Sequence, residues 1–159
     1  MAGEDVRFSH RPQLHQPLLL AAWPGIGQVA LMAATYVKER LGADEFAQME
    51  AVPYFDLGGV FVEENIIQPP RFPRNSFFAW HHPEGGQDLV IFTGEAQPSA
   101  QGYQFAHRVL EVATGLGVQG VFTMAAALVS ELPDSPRVWA AVSHPGRGQE
   151  LQRCGVELK

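Results

Sequence analysis

Residues 23–30 could bind an anion, because two glycines stand where an apolar run meets a predicted helix. Gly25 and Gly27 permit positive φ angles and the close approach of another group, and Pro24 sets a turn before them. Backbone N–H groups at a helix start have no intrahelical partner, so they can hold an anion or a carboxylate. The alternative is that the glycines only make a tight connection between a strand and a helix.

A second stretch carries polar side chains in a predicted strand-to-helix loop. Glu95 and Gln97 follow an apolar strand, and Pro98 prevents the loop from returning to a strand. A carboxylate and an amide held there could bind a polar ligand or the backbone of another chain. Alternatively, they cap the next helix and stabilise its positive N-terminal end.

The glycine spacing also matches a relaxed dinucleotide fingerprint, Gly25-x-Gly27-x-x-Ala30, and Glu50 lies near the position of the acid that binds the ribose. Two observations argue against a nicotinamide cofactor. The predicted strand that contains Glu50 has one polar face, and no helix of the needed length follows it. A P-loop is excluded because no Lys-Ser/Thr pair follows the glycines. No cofactor is therefore predicted.

Histidine and serine are not spaced for metal binding or catalysis. His81 and His82 are adjacent, so on a strand they point to opposite faces and rarely share one ion. Ser143, His144 and Glu95 could supply a nucleophile, a base and an orienting acid, but no nucleophile-elbow pattern surrounds the serine. The sequence predicts no catalytic residues and no metal site, and it favours a protein that is not an enzyme.

Composition excludes several classes of protein. The 11 basic and 17 acidic residues give a formal charge of −6 without a basic cluster, so no nucleic-acid partner is expected. No apolar run approaches the roughly 18 residues that span a bilayer, and residues 1–5 lack the features of a signal peptide. Cys154 is the one cysteine, which excludes an internal disulfide. We expect a soluble cytoplasmic protein without a membrane partner.

The pattern of apolar residues predicts an α/β fold. After an irregular lead-in over residues 1–16, apolar strands alternate with amphipathic helices through a single domain of residues 17–159. This alternation is typical of a mostly parallel sheet flanked by helices, in which ligands bind at the carboxyl ends of the strands. The first predicted strand begins at residue 18. The other predicted strands cover residues 46–52, 88–93, 118–123 and 137–142.

The two main helices are predicted from their termini and their apolar spacing. The first ends at Gly42. Ser99 is the expected N-cap of the second, and Gly115 and Gly117 end it. The side chains expected on its buried face are Tyr103, Ala106, Leu110, Ala113 and Leu116.

Residues 53–86 combine many prolines and glycines with many large apolar residues. Short extended segments fit at 60–63 and 76–81, and no long helix fits. Some of these apolar side chains must pack on the core, whereas others could form an exposed patch that marks a partner surface. The pattern does not divide them. We expect an interface that includes Phe61, Phe72 and Phe77.

Two motifs together resemble the proteasome-assembly-chaperone family. They are Trp23-Pro24-Gly25-Ile26-Gly27-x-Val29-Ala30 and Gly94-Glu95-Ala96-Gln97-Pro98, the latter followed by Tyr103, and the order of elements matches from about residue 18 to residue 142. The resemblance implies a three-layer, phosphorylase/hydrolase-like fold and oligomerisation. In the best-understood members it also implies help in assembling proteasome subunits. It supplies no catalytic residues.

The sequence departs from this family at three places. Ala30 stands where a glycine is common, and the chain ends at residues 156–159 where a further glycine-rich strand and helix would follow. The second departure suggests a shortened member or a fragment. Archaeal members that engage the proteasome often end in a hydrophobic residue, tyrosine and any residue, whereas this tail has no tyrosine. Docking to the proteasome through the tail is therefore not expected.

Two hypotheses for function follow. The leading one is protein–protein binding of the assembly-chaperone type, with protein partners and a homo-oligomer expected. The alternative is a small-ligand binder or a phosphorylase/hydrolase-like enzyme with its pocket at the carboxyl ends of the strands, an analogy that rests on the fold alone. Under either hypothesis the expected binding residues are Pro24, Gly25, Gly27, Glu95, Gln97 and Pro98.

Overall fold

The structure is a computed structural model that describes residues 5–56, 59–129, 131 and 134–158. It forms two compact units, Met1–Ala126 and Ala127–Lys159. The expectation of one domain over residues 17–159 stays a prediction.

The first unit contains a six-stranded sheet, two α-helices and a separate two-stranded hairpin, which confirms the predicted α/β class. Its helices are α1 (Val29–Leu41) and α2 (Gly102–Gly115). Its strands are β1 (Val6–Phe8), β2 (Leu18–Ala22), β3 (Asp44–Met49), β4 (Phe61–Glu63), β5 (Ile66–Gln68), β6 (Asn75–Trp80), β7 (Leu89–Gly94) and β8 (Gly120–Thr123).

Strand β1 lies within the lead-in that the sequence analysis expected to be irregular. Val6 is buried and pairs with Met49 of β3, so this part of the expectation is wrong. A strand of three residues is too short to show a reliable alternation in the sequence.

The sheet is mixed, with strand order β1-β3-β6-β7-β2-β8. Strand β2 runs parallel to β7 and β8, whereas the pairings β1-β3, β3-β6 and β6-β7 are antiparallel. The prediction of a mostly parallel sheet is therefore wrong. The connection between β6 and β7 covers only residues 81–88, which is shorter than the crossover that parallel neighbours require.

The two helices cover opposite faces of the sheet, so the first unit has three layers. Leu19 and Phe92 belong to the apolar cluster that contains Phe105 of α2. Their chain neighbours Leu20 and Ile91 point to the other face and pack in the cluster that contains Ala30 and Ala34 of α1. Because β2 and β7 are apolar on both faces, they form the centre of the core.

Of the predicted stripe of α2, Ala113 is buried and Leu116 packs partly buried against the core, but the rest of the buried stripe is different. Its buried side chains are Phe105, Val109, Val112 and Ala113. Tyr103 and Leu110 are instead 80% and 45% exposed. The helix has apolar residues on two stripes, so spacing alone did not identify the stripe that faces the sheet.

The second unit is small. It contains β9 (Trp139–Ala140), α3 (Pro145–Arg153) and β10 (Glu157–Leu158), and its two strands pair in parallel. Trp139 Nε1 donates a hydrogen bond to Glu157 Oε2 at 3.1 Å, which links the two strands through their side chains.

Candidate functional site

The two sequence motifs meet at the carboxyl ends of β2 and β7. These strands are parallel neighbours in which Ala22 pairs with Thr93, so the loops that follow them lie side by side. The side-chain amide of Gln97 donates a hydrogen bond of 2.7 Å from Nε2 to the backbone oxygen of Pro24. The sequence analysis identified both loops, and this bond is the contact that joins them.

The glycine loop forms a 3-10 turn over Ile26–Gln28 before α1 begins. Gly27 has φ of +60°, which is the left-handed conformation that glycine adopts without strain. Gly25 has φ of −151°, so the expectation of positive φ is met at Gly27 and not at Gly25. Gln28 N donates to Gly25 O at 2.9 Å, which satisfies one backbone N–H of the loop internally.

Glu95 forms hydrogen bonds with the proline-rich segment before β6. Its carboxylate accepts hydrogen bonds from Arg71 Nη2 at 3.1 Å and from the backbone N–H of Arg74 at 3.0 Å. The side chains of Glu95 and Gln97 are thus both engaged within the chain. Neither caps α2, because the N-cap is Gln101, which makes no side-chain cap hydrogen bond.

Ser99 does not cap α2 either, so that prediction is wrong. Its hydroxyl accepts a hydrogen bond of 2.8 Å from the backbone N–H of Asp56, and the backbone N–H groups of Ser99 and Ala100 donate to Tyr54 O. Pro98 lies against the first turn of α2, where a Cβ added to Gly102 would be 3.8 Å from Pro98 Cγ. The loop is therefore held by residues 54–56 rather than by its own helix.

An indole ring that the sequence analysis treated only as part of a motif organises the interior of this site. Trp23 packs on Phe92 and Phe105, with ring centroids 5.3 and 6.0 Å away. A Cβ added to Gly94 would lie 2.8 Å from Trp23 Cδ1 and 3.1 Å from Asn75 Oδ1, so glycine is required there by space. Trp23 Nε1 and the Asn75 amide are buried without a hydrogen-bond partner among the described residues.

The β4–β5 hairpin presents a different kind of surface. Glu64 and Asn65 both have positive φ, which is the geometry of a type I′ two-residue turn. Large apolar side chains of the hairpin and the residue before it are between 62% and 70% exposed, and they are Val60, Phe61, Val62, Ile66 and Ile67. The cross-strand pairs are Phe61–Gln68, Val62–Ile67 and Glu63–Ile66, so both faces of the hairpin carry apolar side chains.

The three predicted interface phenylalanines have different environments. Phe61 is exposed on the hairpin, and Phe72 is half-buried against the core. Phe77 is fully buried in β6 between Phe46 and Phe92, with ring centroids 6.1 and 4.7 Å away. Phe77 is therefore a core residue, and its assignment to an interface is wrong.

The histidines at the opposite end of β7 also serve internal contacts. The buried Asp88 carboxylate accepts hydrogen bonds from the backbone N–H groups of His15 and His82, and it lies 3.2 Å from His81 Nδ1. Burial alone would raise the pKa of Asp88, but these hydrogen bonds and His81 together lower it below its usual value. Asp88 thus ties three loop residues to the start of β7.

The described residues contain no group of three or more His, Cys, Asp or Glu side chains arranged to hold a metal ion. Ser143 Oγ lies 3.1 Å from His144 Nδ1 within the second unit. Over the ranges that the structure covers, no helix is both long and apolar enough to cross a membrane.

Two cavities lie beside the helices of the first unit. One of about 120 Å³ is bordered by Phe8, Arg11 and Arg108, and another of about 320 Å³ runs along α1 beside Met32 and Tyr36. The cavity along α1 is also lined by Gln28 of the glycine loop, and neither cavity is lined by the loop after β7. The strand-end loops are held in place by hydrogen bonds to other parts of the chain, such as those of Gln97 and Glu95.

Together, the fold and the site define a mixed α/β protein with two interlocked strand-end loops and an exposed apolar hairpin. The profile of the PAC2 family matches residues 19–157. This chain belongs to the PAC2 family. A comparison with curated proteins finds no match.

Solved structures show the same fold. The chain is 29% identical to Pyrococcus furiosus PbaB, an archaeal proteasome activator, with a TM-score of 0.79 over 97% of this chain and 65% of that one. It is 17% identical to PbaA of the same organism, an archaeal homologue of proteasome-assembly chaperone, with a TM-score of 0.68 over 97% of this chain and 63% of PbaA.

A third structure is a proteasome-assembly chaperone homologue from Mycobacterium tuberculosis, at 19% identity and a TM-score of 0.54 over 66% of this chain and 47% of that one. PbaA and the mycobacterial protein show the fold alone. The chain spans just under two thirds of the length of PbaB and PbaA.

Proposed function

We propose that this protein is a non-catalytic assembly-chaperone-like protein that binds protein partners through its β4–β5 hairpin. The observation that carries the proposal is the group of five large apolar side chains around this hairpin, each more than 60% exposed. Contiguous apolar patches of this kind mark interaction sites on soluble proteins. PbaB and PbaA are described as a proteasome activator and a proteasome-assembly chaperone homologue, so a proteasome subunit is the partner to test first.

The hairpin has the physical properties of a docking element. A two-stranded hairpin alone is marginally stable in water, and this one carries apolar side chains on both faces. Burial of an exposed apolar side chain contributes roughly 1.5–3 kcal/mol when a partner covers it fully. Several such side chains on a narrow element therefore provide the compact apolar centre that binding hot spots require.

The negative charge at the hairpin turn indicates that the partner surface carries positive charge. Glu63 and Glu64 stand at the turn and are exposed, beside the apolar residues. An apolar groove with a basic rim would match this arrangement, since opposite charges at the rim guide association. We therefore expect binding to weaken as the salt concentration rises.

The test is a binding titration of the purified chain against the proteasome core particle of the same organism. Phe61→Asp should abolish or strongly reduce binding, because it places a charge within the apolar contact. Met32→Asp on α1 is the matched control, since Met32 is 65% exposed and Phe61 is 64% exposed. Circular dichroism checks that both variants remain folded.

Three outcomes are informative. Loss of binding with Phe61→Asp and retention with Met32→Asp supports the proposal. Equal binding of both variants contradicts the role of the hairpin. Absence of binding by the unaltered chain contradicts a proteasome subunit as the partner.

Finer expectations from the sequence belong to the same proposal. They are the homo-oligomer, the cytoplasmic location, the phosphorylase/hydrolase-like relationship of the fold and the binding role of the strand-end residues. The internal bonds of Gln97 and Glu95 favour a supporting role for those residues, in which they hold the loops that frame the first unit.

A small ligand at the strand ends is the second candidate. The buried Trp23 Nε1 and the Asn75 amide favour it, because buried polar groups are usually satisfied by a hydrogen bond. Calorimetry with nucleosides and with inorganic phosphate tests this candidate directly. Binding that is lost in Asn75→Leu but retained in Phe61→Asp would favour the ligand over the protein partner.

A further inference from the structure

Two polar groups in the interior of the first unit have no hydrogen-bond partner among the residues that the structure describes. They are the indole nitrogen of Trp23, just after β2, and the side-chain amide of Asn75, the first residue of β6. Asn75 as a whole is only 1% exposed. Native proteins satisfy nearly all buried polar groups, and ordered water does so where no protein atom is within reach. These two groups therefore indicate a bound molecule between them.

The position of Gly94 shows that the two groups are close enough to share one molecule. A Cβ added to Gly94 would lie 3.1 Å from Trp23 Nε1 and 3.1 Å from Asn75 Oδ1. Hydrogen bonds join heavy atoms about 2.7–3.2 Å apart, so two atoms this near to one common point are within reach of a single bridging molecule. Gly94 and Asn75 are also paired across β7 and β6, which fixes their separation.

The size of this space limits the molecule that it can hold. The same added Cβ would lie only 2.8 Å from Trp23 Cδ1, which is closer than real Cβ atoms approach other heavy atoms. Neither of the two cavities beside the helices is lined by Trp23 or Asn75. A water molecule is not bonded to Gly94 Cα, and it approaches nitrogen and oxygen as a hydrogen-bond partner. The space therefore suits one water rather than an organic ligand.

We propose that one internal water molecule bridges Trp23 Nε1 and the Asn75 side-chain amide beside Gly94. An indole N–H can only donate a hydrogen bond, so the water oxygen accepts it. The water donates one of its own hydrogens to Asn75 Oδ1. If the amide is turned over, Nδ2 donates to the second lone pair of the same water, so the bridge forms with either orientation of the amide.

This water belongs to the scaffold of the strand-end loops. Trp23 leads into the glycine loop, and Gly94 leads into the loop that contains Gln97. The bridge links the end of β2 to the start of β6, in addition to the bond from Gln97 to Pro24. It also gives Gly94 a second role, because any side chain there would enter the space beside both polar groups.

The test is an NMR measurement of nuclear Overhauser transfer from water to the indole N–H protons of the unaltered chain. The chain has three tryptophans, and Trp23→Phe identifies the signal that belongs to Trp23. We expect a direct cross-peak with the sign of a long-lived water at Trp23. Trp139 is the internal control, since its Nε1 donates to Glu157 Oε2 at 3.1 Å and should show no such cross-peak.

Two variants test the second partner of the water. Asn75→Leu removes the amide at similar volume and should abolish the Trp23 cross-peak. Gln97→Ala is the matched control, because it also removes an amide near the strand ends but leaves the bridge intact. A crystal structure of the unaltered chain is the second measurement if Asn75→Leu folds poorly. It should show an ordered water within hydrogen-bond distance of Trp23 Nε1 and the Asn75 amide.

A cross-peak that is lost in Asn75→Leu and kept in Gln97→Ala supports the proposal. Absence of the cross-peak in the unaltered chain, its persistence in Asn75→Leu, or a direct hydrogen bond between Trp23 and Asn75 in the crystal overturns it. Loss of the cross-peak on addition of a nucleoside or phosphate also overturns it, because the site would then hold a larger ligand. All these measurements use the chain without a protein partner, so they do not depend on the role of the hairpin.

Discussion

The strand-end loops and the β4–β5 hairpin are opposite in character. The loops carry the recognisable motifs, yet their polar side chains are bonded to other parts of the chain, as Gln97 is to Pro24 and Glu95 is to Arg74. The hairpin carries no motif, yet its apolar side chains are exposed on both faces. Polar residues at special spacing therefore build the scaffold here, and the irregular middle of the chain supplies the open surface.

The residues that form a recognisable motif are therefore not the ones that offer an exposed surface to a partner. A side chain that already has internal hydrogen-bond partners must lose them before it binds anything else, which reduces the net gain. An exposed apolar side chain has no such bond to lose. The comparison therefore assigns binding to the hairpin and stability to the loops, and each assignment can be tested by substitution.

The largest predicted effect distinguishes two phenylalanines of the same middle segment. Phe77→Ala should destabilise the protein by about 3–5 kcal/mol, because it leaves a cavity in the core. Phe61→Ala should change the free energy of unfolding by less than about 0.5 kcal/mol. Denaturant titration of both variants measures this difference. Similar losses would show that the hairpin is part of the core.

Substitution of Asp88 tests whether the internal hydrogen bonds of the loops stabilise the fold. Asp88→Asn should cost about 1.5–3 kcal/mol at neutral pH, since hydrogen bonds to a charged acceptor are weakened. The pKa of Asp88 is lowered in the folded state, so its contribution is present above the pKa of the unfolded state and is lost on acidification. Stability of the unaltered chain should therefore decline as pH falls from about 5 to about 2, and the variant should show a shallower decline.

Gly94 tests the packing of the strand-end scaffold. Gly94→Ala should cost about 1–3 kcal/mol, because the new Cβ would meet the Trp23 ring at 2.8 Å. Tryptophan fluorescence should report the displaced ring. Gly25→Ala is the control, since a Cβ there has no atom within 4 Å and φ is negative. Equal stability of the two variants would contradict the described packing.

Among the strand-end residues, Gln97 has the smallest predicted effect. Gln97→Ala removes an exposed hydrogen bond between the two loops and should cost about 0.5–1.5 kcal/mol. Binding of the protein partner should be unchanged by this substitution. If the Gln97→Ala variant is stable but does not bind the partner, the loops rather than the hairpin are the binding site.

Much of the fold could be predicted because its central strands have an unambiguous pattern. Continuous apolar runs identified β2 and β7, and Gly42 correctly marked the end of α1, where it adopts φ of +67°. The directions of the strands were not encoded locally. They depend on which strands become neighbours: the segments at 76–81 and 88–93 were predicted, but their antiparallel pairing was not.

The site was predicted in part for a similar reason. The two loops were identified from composition, but the bond between Gln97 and Pro24 depends on the parallel pairing of β2 and β7. Phe61 and Phe77 could not be separated, because both lie in short extended segments between turns. Their burial is set by whether each strand joins the main sheet or forms a separate hairpin.

The most direct test of the central comparison is hydrogen–deuterium exchange of the full chain, alone and bound to the proteasome core particle. We predict that binding slows amide exchange in residues 60–68 and leaves residues 24–28 and 94–98 unchanged. Protection of the strand-end loops without protection of the hairpin would contradict the account.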